Sequence, residues 1–314
     1  MAKLQNISSE TASKHLKDLQ VFFEELASSD VCKSDSGFST DKDAILRVFK
    51  NTSGCNKEDI LVRLTLIDSM YSTQMSRRYY ALDELAEALA IIAKNKEGEL
   101  RQIFLDFAKS PEQNLYKFNY IGDGETQTNL FAECYGIGKD GGNKGVAVSL
   151  ISKYAYFETE FKFPIYDSIA CEMYPLVWHF CGFEKHNLPK LTHSQNGKVV
   201  GDKTIVEYVK AINLIINNLN SEKLNYDILD RYMWFVGKIC RGNLSLVLSR
   251  SEYEEALKVY PPKLVSKTNS KGKTTESVEY FNIKDMDIHK LKFLNRPKNK
   301  NVRKFFEFAK FYMN

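Results

Sequence analysis

Apolar side chains recur every three or four positions along most of this chain, which is the spacing of one buried face of an α-helix. The clearest example runs from Lys57 to Met75, where one face carries Ile60, Leu61, Leu64, Ile67, Met70 and Tyr71. The same spacing predicts further helices over residues 1–30, 41–49, 82–94, 97–108, 204–219, 225–240 and near the C-terminus. We therefore expect a mostly α-helical fold.

The most apolar part of the chain is a pair of predicted helices over residues 146–157 and 169–180. A glycine-rich turn, residues 136–145, precedes the first of them. Pro164 forces the residue before it into an extended conformation and so ends any earlier helix. Asp167 then stands where the second helix begins, a position at which a side-chain oxygen accepts hydrogen bonds from the free amides. Asp167 is therefore either a plain helix cap or a catalytic carboxylate directed into a cleft.

Polar and glycine-rich stretches separate the predicted helices and suggest three segments. Loops are predicted over 31–42, 51–56 and 263–273, with one short helix near Asn129 to Tyr135, a hairpin at Asn196-Gly197, and Asp227 as the cap of the helix over 225–240. We expect an N-terminal helical extension (1–56), a helical core (57–245) and a basic, aromatic C-terminal segment (246–314). The C-terminal segment suits either a nucleic-acid contact or a solvated tail around a packed helix.

Composition narrows the cellular setting. The 314 residues carry a net charge of only +4, so a nucleic-acid surface must come from local basic clusters. The six cysteines form no Cys-x-x-Cys pair, and the spacing of His179, Cys181 and His186 fits no standard zinc site. No apolar run approaches transmembrane length and no signal peptide is visible. We expect a cytoplasmic protein that needs neither a metal nor another cofactor.

Three segments in order resemble the DNA glycosylases of the helix-hairpin-helix and 8-oxoguanine-glycosylase fold. They are Leu66-Ile67-Asp68-Ser69-Met70-Tyr71-Ser72-Thr73, then SLISKYAYF followed by FPIYDSIACEMY, then Leu229-Asp230-Arg231-Tyr232-Met233-Trp234-Phe235-Val236-Gly237-Lys238. Together they cover roughly residues 60 to 245. The resemblance implies a multi-helix fold with a cleft between two helical subdomains, a monomer, and double-stranded DNA as the partner. It also implies that Asp167 is catalytic.

The resemblance suggests roles for further side chains. Extrusion of a base needs a pocket, for which the candidates are Tyr71, Gln74, Tyr166, Trp178, Tyr232 and Trp234. Contacts with the DNA backbone are expected from Arg77, Arg78, Gly142, Asn143 and Lys144. Core packing explains the aromatic residues equally well, and an ordinary helix end explains the two arginines. The glycine-rich turn also departs from the usual Leu-Pro-Gly-Val-Gly form of the hairpin, which weakens the expected grip on DNA.

Lys153 needs separate consideration, because bifunctional relatives use a lysine amine as nucleophile early in the helix before the catalytic aspartate. Ala147 and Val148 occupy that place here, and Lys153 lies further along. We therefore expect a monofunctional enzyme that uses water and leaves an abasic site. Lys153 is expected either to approach Asp167 or a phosphate, or to form a structural salt bridge.

The departure from the motifs of housekeeping repair suggests an antiviral role, in which the enzyme removes modified cytosine from phage DNA. Two rival functions stay open: a non-catalytic DNA-binding module that retains the glycosylase fold, and a helical scaffold with no role in nucleic-acid binding. A scaffold predicts no salt-dependent binding of DNA.

Overall fold

The structure is a computed structural model. It describes residues 6–28, 37–71, 73–95, 100–122, 126–139, 141–142, 145–191, 200–268, 274–279 and 282–314. The predicted hairpin at Asn196-Gly197 lies outside these ranges, as do the candidate DNA contacts Asn143 and Lys144.

The fold is mostly α-helical, as the spacing of apolar residues predicts. The described residues form α1 (Ser9–Ser28), α2 (Gly37–Asn51), α3 (Lys57–Tyr71), α4 (Ala81–Asn95), α5 (Leu100–Lys109), α6 (Pro111–Asn114), α7 (Val148–Glu158), α8 (Ser168–Phe180), α9 (Gly201–Leu219), α10 (Tyr226–Cys240), α11 (Arg250–Val259) and α12 (Lys300–Met313). Short 3₁₀ turns connect several of them.

Within the described ranges, three two-stranded antiparallel hairpins accompany the helices. They pair β1 (Asn119–Ile121) with β2 (Gln127–Asn129), β3 (Cys134–Tyr135) with β4 (Gly145–Val146), and β5 (Lys263–Thr268) with β6 (Thr274–Glu279). The short helix predicted near Asn129 to Tyr135 is wrong, because a turn and β3 occupy that stretch. The loop predicted over 263–273 is also wrong at its start, where β5 lies. Likewise, α2 begins at Gly37, inside the predicted loop over 31–42.

Helix α3 ends at Tyr71, four residues before the predicted end at Met75. The buried carboxylate of Asp68 accounts for this. It accepts hydrogen bonds from the Thr73 hydroxyl, from the Met75 amide at 2.8 Å and from the Ser76 amide at 3.0 Å. These bonds hold residues 73–76 in a compact turn. The Asp68 side chain thus supplies hydrogen bonds that compete with continuation of the α-helix.

One hydrophobic core contains residues from all three predicted segments, including Phe22, Tyr154 and Phe305. Helix α7 lies at its centre, with every residue from Leu150 to Phe157 buried. Helices α2, α3 and α5 pack on α7. A polar side chain on α7 is therefore enclosed by protein, and it requires buried partners.

Helices α8 and α10 approach each other closely at Gly237. A Cβ atom at this position would lie 2.4 Å from Cγ2 of Ile169, so only glycine fits without displacement of the Ile169 side chain. Arg241, directly after α10, also binds α8: its guanidinium donates to Glu172 at 2.5 Å and to the Ser168 carbonyl at 3.2 Å. The glycine of the Trp-x-x-Gly-Lys motif thus brings α10 against the start of α8.

Candidate functional site

Asp167 is placed by the segment before α8, which is fastened to the core from two sides. The Tyr166 amide donates to Oγ of Ser152 at 2.9 Å. The Tyr208 hydroxyl donates to the carbonyl of Ile165 at 2.6 Å. Ser152 lies on the central helix α7, and Tyr208 lies on α9. The start of α8 therefore has a fixed position relative to the buried face of α7.

The side chain of Asp167 uses its two oxygens differently. Oδ1 accepts hydrogen bonds from the amides of Ile169 and Ala170, both at 2.9 Å, so the predicted helix cap is confirmed. Oδ2 lies 3.9 Å from Nζ of Lys153. The Asp167 side chain is 24% exposed, so it also reaches the surface of the protein. Capping and a second use of the carboxylate are compatible, because they engage different oxygens.

Lys153 is the buried cation of the site, with a side chain only 5% exposed. Its Nζ donates to Oγ of Ser149 at 3.2 Å and lies 5.6 Å from the centre of the Tyr71 ring. Burial lowers the pKa of Lys153, while the negative charges of Asp167, Asp230 and Asp68 act in the opposite direction. The sequence-based expectation that Lys153 approaches Asp167 is confirmed.

Asp230 is a second carboxyl group that acts on Lys153, and no pattern in the sequence predicts a role for it beyond its place in the α10 motif. It is 8% exposed. Burial raises its pKa to about 7; Lys42 and Lys153 oppose that rise, and the charges of Asp167 and Asp227 add to it. A carboxyl group with a pKa near neutrality changes its charge in the range in which enzymes work.

A second group of charges adjoins the first. Oδ1 of Asp227 accepts from Nζ of Lys42 at 2.7 Å and from the Tyr156 hydroxyl, while Oδ2 lies 2.7 Å from Nη2 of Arg231. Asp227 was predicted to cap α10. That prediction is wrong, because Asn225 is the cap and accepts from the Ile228 amide at 3.0 Å. Asp227 instead binds Lys42 on α2, Tyr156 on α7 and Arg231 on α10 itself.

Two predicted pocket residues lie at the Lys153–Asp167 pair. Tyr71 at the end of α3 presents its ring to Lys153, and Tyr166 directly precedes Asp167. Trp234 on α10 is partly buried, and its ring centre lies 5.5 Å from Nζ of Lys238. Burial lowers the pKa of Lys238, and the negative charge of Asp167 acts in the opposite direction. These aromatic residues therefore lie on the elements that surround the candidate carboxylate.

The other predicted pocket residues lie elsewhere. Trp178 is buried near the C-terminal end of α8, roughly 16 Å along the helix from Asp167 at 1.5 Å per residue, and its indole donates to the Glu184 carbonyl at 3.0 Å. The Tyr232 ring is fully buried, and its hydroxyl lies 2.6 Å from that of Tyr312 on α12. Both positions favour core packing, the alternative interpretation of these residues.

The pocket candidate Gln74 and the DNA-backbone candidate Arg77 lie together on the surface, whereas the guanidinium of Arg78 lies against the glycine-rich hairpin. Gln74, with a left-handed backbone (φ 63°), accepts a hydrogen bond from Arg77 at 3.2 Å, and both side chains are exposed. The guanidinium of Arg78 lies directly against Gly145 of the glycine-rich hairpin, since a Cβ atom at Gly145 would lie only 2.2 Å from Nη1 of Arg78. The stretch after α3 and the glycine-rich hairpin are thus in contact. Gly142 of that hairpin is exposed.

Backbone pairing strengthens this contact. Tyr79 and Ile137 exchange two hydrogen bonds of 3.0 Å. The side chains of Tyr79 and Tyr80 are 60% and 69% exposed. Large exposed aromatic residues beside an arginine form a surface on which nucleobases can stack. The sequence showed this aromatic pair but not its exposure, which depends on the pairing with Ile137.

Three surface cavities of about 620, 640 and 650 Å³ are lined by described residues. None of these three includes Asp167 or Lys153. The 650 Å³ cavity reaches Asp227 from the side of Phe161 and Tyr226. The predicted cleft between two helical subdomains therefore stays a prediction.

Comparison of the chain with protein-family models, with curated proteins and with solved structures found no match. The resemblance to DNA glycosylases thus rests on its three sequence segments. Among the described residues, no helix has the length and apolar character required to cross a membrane. The same residues contain no cluster of three or more His, Cys, Asp or Glu side chains suited to a metal ion.

Proposed function

We propose that this protein is a DNA glycosylase that extrudes a modified or damaged nucleotide and hydrolyses its N-glycosidic bond, leaving an abasic site. The observation that carries the proposal is the Asp167–Lys153 pair at the start of α8, with one carboxylate oxygen free of the helix cap. Both residues belong to the second of the three segments that resemble glycosylases, and the ring of Tyr71 from the first segment lies beside Lys153.

The chemistry of the reaction suits this pair. Departure of the base places positive charge on the deoxyribose, and a carboxylate nearby stabilises that charge and orients the attacking water. Asp167 is held by two backbone amides, so its carboxylate needs little reorganisation when the sugar becomes positive. The Lys153 ammonium group lies 3.9 Å from Oδ2 of Asp167 and offsets part of the negative charge of the carboxylate.

The proposed reaction is hydrolysis by water, without a covalent enzyme–DNA intermediate. Burial lowers the pKa of Lys153, which favours the neutral amine that a nucleophile needs, so a direct test for a covalent intermediate is necessary. Borohydride added during turnover reduces an imine to a stable amine. We expect no protein–DNA adduct under conditions in which abasic sites accumulate. An adduct that disappears in Lys153→Met would replace the hydrolytic mechanism by a lyase mechanism.

The DNA partner is proposed to lie across Arg77, Tyr79, Tyr80 and the glycine-rich hairpin. Binding through phosphates releases counterions, so each lost phosphate contact lowers the slope of log K against log salt concentration by about one. We expect Arg77→Ala to lower the slope by about this amount for duplex DNA. Arg250→Ala, which removes an arginine with a side chain 93% exposed on α11, is the matched control and should leave it unchanged.

The base that is removed is proposed to be a modified cytosine of phage DNA, which makes the biological role antiviral. Purified protein is incubated with phage DNA that carries glucosylated hydroxymethylcytosine, and separately with duplex DNA that contains 8-oxoguanine. An aldehyde-reactive probe then detects abasic sites. We expect labelling of the phage DNA. Absence of abasic sites in both would remove the support for an enzyme.

A non-catalytic DNA-binding module is the second candidate, and the confirmed capping role of Asp167 favours it, since a cap alone also explains this residue. The two functions differ in their dependence on the carboxylate. An Asp167→Asn variant that protects cells against phage as well as the unaltered protein does would support the binding module.

We further propose that the protein acts in the cytoplasm as a monomer.

A further inference from the structure

We propose that Ser149 is a positioning residue of the candidate site: its hydroxyl group holds the Lys153 ammonium group and so keeps Oδ2 of Asp167 available to the substrate. The inference deepens the proposed glycosylase function and rests on it for its effect on the reaction. The effect of Ser149 on the distance between Lys153 and Asp167 can be measured without any activity.

Two distances show which group binds the ammonium group. Nζ of Lys153 donates to Oγ of Ser149 at 3.2 Å, which is within the range of a hydrogen bond. Oδ2 of Asp167 lies 3.9 Å from the same Nζ, which is close enough for attraction between the charges but too long for a hydrogen bond. Lys153 is therefore bonded to the serine, whereas its contact with the carboxylate is electrostatic.

Two serines of α7 set these distances. Ser149, Ser152 and Lys153 lie on one side of the helix, because residues three and four positions apart are neighbours on a helix surface. Ser152 accepts a hydrogen bond from the Tyr166 amide at 2.9 Å, which fixes the residue directly before Asp167. Ser152 thus sets where the carboxylate lies relative to α7, and Ser149 sets where the ammonium group lies.

The ammonium group needs an acceptor because it is enclosed by protein. The Lys153 side chain is only 5% exposed, and an ammonium group carries three N–H donors. The ring of Tyr71, whose centre lies 5.6 Å from Nζ, attracts the charge through its face. Among the described residues, Asp167 holds the one carboxylate within 4 Å of Nζ. Without the Ser149 hydroxyl, the ammonium group should therefore move to Oδ2.

A direct hydrogen bond from Lys153 to Asp167 would occupy the oxygen that the proposed reaction uses. Oδ1 already accepts from two amides of α8. Once Oδ2 is bonded to a cation as well, less negative charge faces the deoxyribose, and the positive charge that develops on the sugar is stabilised less. Ser149 thus keeps the ammonium group near the carboxylate but not bonded to it.

The first test needs no substrate. Crystal structures of the unaltered protein and of Ser149→Ala, determined at the same pH, give the distance from Nζ of Lys153 to Oδ2 of Asp167. We expect this distance to shorten in the variant from 3.9 Å to about 2.8 Å, the length of a charge-assisted hydrogen bond. Ser149→Thr retains the hydroxyl group and should retain the longer distance. An unchanged distance in Ser149→Ala overturns the proposal.

The second test measures single-turnover formation of abasic sites on phage DNA that carries glucosylated hydroxymethylcytosine. Ser149→Ala should lower the rate about ten-fold, less than loss of the carboxylate itself, because Asp167 keeps its charge. Ser149→Thr should restore the rate. Lys153→Met removes the group through which Ser149 acts, so addition of Ser149→Ala to it should cause no further loss. A further loss in that background would mean that Ser149 acts on the fold or on the substrate, and would overturn the proposal.

The two tests separate failure of this inference from failure of the proposed function. A shortened distance in proteins that all leave the DNA intact would refute the glycosylase and support the role of Ser149 in the ion pair. An active protein whose rate is the same in Ser149→Ala would refute the inference alone. Ser28→Ala removes an exposed hydroxyl group that bonds to its own helix, α1, and as the control it should change neither the distance nor the rate.

Discussion

Replacement of Asp167 by Asn is expected to lower the rate of abasic-site formation by about 10³-fold, while the protein keeps its fold. The variant keeps one function of this side chain, the helix cap, and loses the other, its negative charge. An Asn side chain caps a helix as well as Asp does, so Oδ1 still accepts from Ile169 and Ala170. The negative charge beside Lys153 is lost. Single-turnover rates and thermal unfolding, measured on the same preparations, show the two effects separately.

The control for Asp167→Asn is Glu172→Gln, which removes a carboxylate one turn further along α8. Glu172 is exposed and pairs with Arg241. We expect its replacement to alter the rate by less than about two-fold, since exposed ion pairs contribute little. If the two variants lose activity equally, the negative charge of Asp167 has no special role and the catalytic proposal fails.

The sequence predicted those features that depend on local contacts. The start of α8 follows from Pro164 and Asp167, because a proline and a cap act on residues that are adjacent in the chain. The buried face of α3 likewise follows from its apolar spacing. The end of α3 did not, because Asp68 organises the turn after the helix through its side chain. The spacing of apolar residues does not reveal a buried polar side chain whose hydrogen-bond partners lie in the turn after the helix.

Most of the charged cluster around the site was not predictable, because its members come from distant parts of the chain. Lys42 and Asp227 are 185 positions apart, and Lys42 lies at the border of a stretch that was predicted to be a loop. Near Asp227, the local pattern favoured a helix cap, which is the commoner role for aspartate at such a position. Only the folded structure, which brings Lys42 of α2 to Asp227 of α10, shows that this carboxylate binds a buried lysine.

The strands were missed for a related reason. Strand β3 has two residues, and in β5 the consecutive side chains of Lys263 and Leu264 are both exposed. Neither offers the alternation of buried and exposed positions by which a strand is recognised in a sequence. The contact of Arg78 with Gly145 depends on β3 and β4, so the surface proposed for DNA was visible in the sequence only as separate arginines and glycines.

The ion pair between Lys42 and Asp227 leads to the largest expected effect on stability. In Asp227→Leu, the Lys42 ammonium group stays buried without the carboxylate that binds it at 2.7 Å. Loss of one partner of a buried ion pair destabilises a protein by about 3–5 kcal/mol. We expect a loss of this size in the free energy of unfolding, measured by urea denaturation at pH 7. Asp106→Leu, which removes the partner of the more exposed Lys117, should cost less than about 1 kcal/mol.

The dependence of this loss on pH separates a stranded charge from a simple packing defect. Burial already lowers the pKa of Lys42 in the folded protein, and without Asp227 it should fall further. The unfolded chain then binds a proton that the folded chain does not, so the stability of Asp227→Leu should rise with pH until Lys42 is neutral in both states. A deficit that stays constant from pH 6 to pH 10 would mean that lost packing, and not the buried ammonium group, weakens the attachment of α2.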